Sequence, residues 1–252
     1  MNLDALEFGI LLPAFVAGLL VLASHVPLGQ TVLKRGIIFL DLAIAQIAGL
    51  GVVIAHGLGG EGSPWLSQAG AVSAALLGAL FLHRMEKLAR GDENSRQEAI
   101  IGVTFVCAAC LALILMSHDP HGAEHLRELL VGQILWTTWS DLVPLAVVTA
   151  LVLAAWFGLG WRDSPLGFYM LFAVTITASV QVVGIYLVFA SLIVPALVSG
   201  ERLGRGLVIG ATGYAVGLIA SGLFDLPSGA AIVLALTAVA GLVALFNRVR
   251  RV

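Results

Sequence analysis

Apolar runs close to the ~20 residues that a helix needs to cross a hydrocarbon core recur along this chain, separated by short polar clusters. The pattern predicts spans over residues 6–26, 37–57, 67–84, 99–117, a short 125–139, then 141–160, 168–194, 207–223 and 229–247. No soluble domain, low-complexity tract or flexible linker fits between them. The expected fold is all-α, a polytopic membrane helix bundle of about 8–9 transmembrane helices, with residues 1–252 forming one membrane domain.

The polar clusters set an orientation, because Lys and Arg accumulate in cytoplasmic loops. Placing the C-terminal tail inside puts Lys34, Arg35, Arg84, Lys87, Arg90, Arg96, Arg202, Arg205, Arg248, Arg250 and Arg251 inside, 11 of the 13 basic residues. Arg127 and Arg162 remain outside, the N-terminus faces outward and the C-terminus is cytoplasmic. This count relies on residues 125–139 crossing; as a surface segment they would divide the basic loops between the two sides. Trp65 and Trp161 are then expected at the outer interface, and Trp136 and Trp139 at the inner one.

Composition agrees: 60% of the 252 residues are hydrophobic, 11% are charged and the mean hydropathy is +1.03. A soluble domain could not expose such a surface. The first run follows Asp4 and Glu7 rather than a basic stretch, so it is expected to be retained as a helix. The 29 glycines, as in Gly70-Ala-Val-Ser-Ala-Ala-Leu-Leu-Gly78, suit closely packed helices. Cys107 and Cys110 share one apolar run and are expected to be small packing residues. The lysines, Lys34 and Lys87, follow Leu and Glu, which excludes a Walker-type phosphate loop.

Polar groups inside the apolar runs are the candidates for chemistry. Asp41 follows Arg35 by six residues, roughly 9 Å into the bilayer if the boundary lies at Arg35. A carboxylate there costs at least ~2.5 kcal/mol and faces a bundle interior, a partner or a wet pathway. The alternative is a structural Asp that bonds neighbouring backbone or a basic loop residue to fix the helix end. Asp41 shares its helical stripe with Ala45, Ala48 and Gly49, whereas Gln46 projects about 140° away. Gln181, near Thr177 and Ser179, is a polar group within the seventh run. On the outer side, His118, Asp119, His121, Glu124 and His125 offer donors suited to a divalent metal, although their spacing matches no defined site and a solvated loop is the simpler explanation. On this topology the outer face carries eight acids against two arginines and would concentrate cations.

Two stretches resemble the membrane permeases of bacterial ABC importers for zinc, manganese or iron, the ABC-3 family. Leu28-Gly-Gln-Thr-Val-Leu-Lys-Arg-Gly-Ile-Ile-Phe-Leu-Asp-Leu-Ala-Ile-Ala-Gln46 is similar to the family's first cytoplasmic loop and acid-bearing helix. Val180-Gln-Val-Val-Gly-Ile-Tyr-Leu-Val-Phe-Ala-Ser-Leu-Ile-Val-Pro-Ala196 is similar to its long helix ending in Pro-Ala. Weaker echoes are Glu98-Ala-Ile-Ile-Gly-Val-Thr-Phe105 and Leu129-Leu-Val-Gly-Gln-Ile-Leu-Trp-Thr-Thr-Trp-Ser-Asp-Leu142. The resemblance implies a homodimeric permease in the bacterial cytoplasmic (inner) membrane, with cytoplasmic ABC ATPase subunits and an extracytoplasmic metal-binding protein as partners. It implies no cofactor in this chain, a divalent metal as transported substrate, ATP on the partner, and no enzymatic activity or nucleic-acid partner here. Asp41, Gln46 and Gln181 are the candidates for the translocation path. Coupling to the ATPase falls on Pro195, Ala196, Glu201, Arg202 and Arg205, in a coupling helix over 196–206. The family's Asp-x-x-x-His would place a His at Ala45, so this chain departs from the pattern at its second ligand. The alternatives are an ABC permease for a metal chelate or other small nutrient, and a stand-alone secondary carrier.

Overall fold

A computed structural model describes residues 8–57, 63–88, 93–117, 127 and 129–249. They hold nine α-helices: α1 (Phe8–Arg35), α2 (Leu40–Ala55), α3 (Pro64–Leu88), α4 (Glu93–Met116), α5 (Trp139–Gly158), α6 (Pro165–Val183), α7 (Ile185–Ser199), α8 (Leu203–Phe224) and α9 (Ser228–Val249). Seven are long and apolar enough to cross a membrane. The two short ones, α2 with 16 residues and α7 with 15, are largely buried. α2 lies among α3, α4, α6 and α7, and α7 lies among α1, α2, α6, α8 and α9. Shielded by protein, neither helix has to match the bilayer thickness along its length.

Close helix approach rests on small residues, as the composition implies. Gly51 of α2 and Gly70 of α3 face each other's backbone, and Gly29 of α1 abuts the Leu192 carbonyl of α7. Gly18 of α1 makes room for the Tyr214 ring of α8, whose hydroxyl lies 2.8 Å from Ser191 Oγ on α7. In α6, the hydroxyls of Thr175, Thr177 and Ser179 donate to the carbonyls four residues back. These polar groups are therefore satisfied within their own helix.

Side-chain contacts show which helix ends share a face. Arg35 at the end of α1 sits 4.2 Å over the Phe168 ring at the start of α6. Neighbouring Tyr169 accepts a 3.0 Å hydrogen bond from Gln97 of α4 and has its ring centroid 5.4 Å from that of His83 on α3. The turn after α7 joins the same face, with Lys34 Nζ 2.8 Å from Glu201 and Gln30 donating to the Gly200 carbonyl at 2.7 Å. We call this the basic face.

Two sequence expectations fail together and cancel. The run 168–194 is two antiparallel helices rather than one span, broken at Gly184. Gly184 holds φ +79° and ψ 162°, a conformation open essentially to glycine alone. Residues 129–138, for their part, do not cross. Val131 ends a short helical piece, and a 3₁₀ turn at Ile134–Trp136 packs on α1 and α9. Gly132, also at positive φ, fits backbone to backbone against Val183 and Gly184, while Leu129 lies over Gly49 of α2. This segment is too short and irregular to cross, and it packs against the break in the long run. The reversal at Gly184 takes the place of the crossing expected over 125–139. The intervening loop changes sides: Trp161, Arg162 and Asp163 stand on the basic face, and Trp136, Trp139 and Asp141 on the opposite one. The basic residue Arg162 thereby joins the others, which sharpens the charge asymmetry.

Candidate functional site

α2 begins later than the hydropathy suggests. Gly36 takes φ +68°, the Ile37 amide donates to the Val32 carbonyl, and residues 36–39 form a turn. Asp41 is consequently the second residue of α2, near the basic face, and not 9 Å along a helix starting at Arg35. It is wholly buried, and neither carboxylate oxygen has a hydrogen-bonding partner among the described residues. The alternative of an Asp bonded to nearby backbone does not match this geometry. Ala45 and Ala48, on the same stripe, are also buried and offer no side-chain donor.

The other path candidates stand apart from it. Gln46 is buried one turn further along α2, on another side of the helix. Gln181 is exposed and follows Tyr169 by twelve residues, about 18 Å of helical rise away from the basic face. The structure does not bring Asp41, Gln46 and Gln181 into one cluster. Among the described residues, no group of three or more His, Cys, Asp or Glu side chains converges as a metal site. His118, Asp119, His121, Glu124 and His125 lie outside the described residues. Cys107 and Cys110 are exposed on the outer side of α4 rather than packed within the bundle, a correction to the expected packing role.

The segment 196–206 contains no separate helix. It comprises the last turn of α7, a tight turn at Gly200–Arg202 in which the Arg202 amide donates to the Ser199 carbonyl, and the first turn of α8. Pro195 and Ala196 are buried inside α7. Glu201 and Arg202 are exposed and Arg205 is half-buried, so these three carry the accessible charge. The hydrogen bond from Lys34 and the charge of its ammonium hold the Glu201 carboxyl below its ordinary value.

Sequence reasoning missed the polar and aromatic cluster at the basic face. Arg35, His83, Glu86, Gln97, Glu98, Phe168 and Tyr169 come from four helices, and nothing in their spacing along the chain announces it. Glu98 alone had a signal, as an acid opening an apolar run just after a basic loop.

Residues 7–166 and 157–247 match the model of the ABC 3 transport family. The chain is 25% identical over 258 residues to the manganese transport system membrane protein MntC of Listeria innocua, covering 92% of this chain and 89% of that protein. It is 26% identical over 170 residues to the "Probable iron transport system membrane protein" of Haemophilus influenzae, covering 56% of this chain and 62% of the relative. The fold is similar to a solved chain of PsaBC from Streptococcus pneumoniae in complex with Fab, with a TM-score of 0.72 at 23% identity, over 94% of this chain and 91% of that one. With most of its length matched in sequence and the same helical architecture, this chain belongs to the ABC 3 transport family.

Proposed function

We propose that the whole chain, residues 1–252, is the permease subunit of an ATP-binding cassette importer for divalent metal ions. Asp41 carries this reading: a buried carboxylate with no partner, on a helix enclosed by four others, suits a transient cation better than it suits stability. With no His at position 45, the remaining donors are oxygens, from the carboxylate and backbone carbonyls. Such a set favours a harder ion, manganese or ferrous iron ahead of zinc. The names of the two relatives point the same way. Gln46 and Gln181 serve the path at other depths.

The permease works as a homodimer in the bacterial inner membrane. The basic face is cytoplasmic, which places the N-terminus outside and the C-terminus inside. Cytoplasmic ATPase subunits dock on the turn bearing Glu201, Arg202 and Arg205 and hydrolyse ATP, while an extracytoplasmic binding protein delivers the metal to the opposite face. The outer His118, Asp119, His121, Glu124 and His125 help capture it.

Reconstitution with the partner ATPase and a metal-loaded binding protein tests the reading. Manganese or iron should stimulate ATP hydrolysis and enter the vesicles, and Asp41→Ala should abolish uptake while leaving the dimer assembled. Failure of manganese, iron and zinc alike to stimulate hydrolysis would refute the metal assignment. Uptake that survives Asp41→Ala would remove Asp41 from the path.

A further inference from the structure

Asp41 makes no hydrogen bond among the described residues, so its own side chain cannot fix where the carboxylate points. Its position is inherited from the start of α2. Within the segment the Leu40 amide donates to the Ile37 carbonyl at 3.1 Å and the Ala43 amide to that of Phe39 at 3.2 Å, but Phe39, at the N-cap, supplies no side-chain acceptor. The contact that closes it comes from another helix. Glu98 of α4 accepts a 3.1 Å hydrogen bond from the Ile38 amide, three residues before Asp41.

Glu98 is itself held. Its neighbour Gln97 donates to the Tyr169 hydroxyl of α6 at 3.0 Å. Tyr169 is buried, edge-on to Phe168 at 5.6 Å between ring centroids, and Phe168 lies under Arg35. The same turn of α4 is therefore anchored on α6, which is tied to the end of α1 just before the turn into α2. The carboxylate also brings negative charge to the N-terminal end of α2, where the helix dipole favours it.

We infer that Glu98 is a positioning residue for Asp41: as an acceptor supplied from α4 to the turn that leads into α2, it sets the depth and rotation at which α2 presents the buried acid to a divalent cation. This inference rests on the transport reading of Asp41. The glutamate is replaceable by any acceptor of the same reach, so glutamine should preserve the hold and alanine should release it.

Hydrogen exchange on the assembled transporter, alongside manganese uptake, tests this. In Glu98→Ala, the amides of residues 38–42 should exchange roughly tenfold faster or more, as expected from losing a hydrogen bond to a charged acceptor. Glu98→Gln should exchange at close to the parent rate. The half-saturating manganese concentration should rise in Glu98→Ala and return in Glu98→Gln, a recovery that a general loss of folding would not produce. Unchanged exchange at residues 38–42, equal loss of protection throughout α3 and α6, or a glutamine variant as impaired as alanine would overturn the inference. Faster local exchange with an unaltered manganese requirement would overturn it as well. Normal uptake by Asp41→Ala sinks the transport reading instead, a result distinguishable because the exchange data report on the contact directly.

Discussion

Asp41 presents a conflict between stability and use. A carboxylate removed from water without a partner costs several kcal/mol, and no hydrogen bond among the described residues offsets it. A residue kept for stability would be expected to repay that cost. Asp41→Asn should therefore abolish transport while leaving the melting temperature of the purified protein unchanged or raised. A clear fall in melting temperature with uptake preserved would show a structural role. The acid was legible in the sequence because a charge inside an apolar run stands out whatever the fold. Its surroundings were not: Arg35, His83, Gln97, Glu98 and Tyr169 meet only after α1, α3, α4 and α6 are packed.

The break between α6 and α7 shows the limit of hydropathy more sharply. A continuous apolar run reads the same whether the chain passes straight through or turns back, since both arrangements bury apolar side chains. Gly184 offered only a weak local cue, because isolated glycines also stand within helices throughout this chain. Its role depends on Gly132, 52 positions earlier, with which it packs backbone to backbone. Gly184→Ala should destabilise the protein by about 1–3 kcal/mol through the strained backbone, with a further loss from displacing Gly132. A melting temperature equal to that of the parent would contradict this account. The reversal also has a topological signature. In a background lacking Cys107 and Cys110, a cysteine placed at Arg162 should be modified from the same side of the membrane as one at Lys34, and from the side opposite one at Trp136. Labelling of position 162 from the side opposite Lys34 would restore the single long span.

Across the bundle, the asymmetry of charge and the turn after α7 determine where a cytoplasmic partner could engage. Glu201 and Arg202 project from that turn, which is gripped by Gln30 and Lys34 of α1. Charge reversal at Glu201 or Arg202 should weaken co-purification of the ATPase several-fold, and undiminished association would exclude the turn from the interface. The Lys34–Glu201 pair itself is exposed and screened, so Lys34→Ala should not measurably alter the melting temperature. Its pH dependence has a definite sign. A carboxyl depressed below its ordinary value of 4.5 contributes above that value and loses its contribution as the pH falls through the lower, folded value. Association measured between pH 6 and 8 should show no titration attributable to Glu201, and an inflection in that range would have to come from another group.

Membrane residence, the helical class, the basic and opposite faces, the buried acid and the charged turn all follow from residue types placed along the chain. They are one-dimensional properties, set by the cost of putting polar groups in hydrocarbon and by the rise of a helix. Which run reverses, which segment stops short of crossing, and what holds Asp41 in place depend on contacts between residues far apart in the chain. Gly132 against Gly184 and Glu98 beneath Ile38 exist only once the helices have packed, because each satisfies a backbone demand that its own neighbours in sequence leave open.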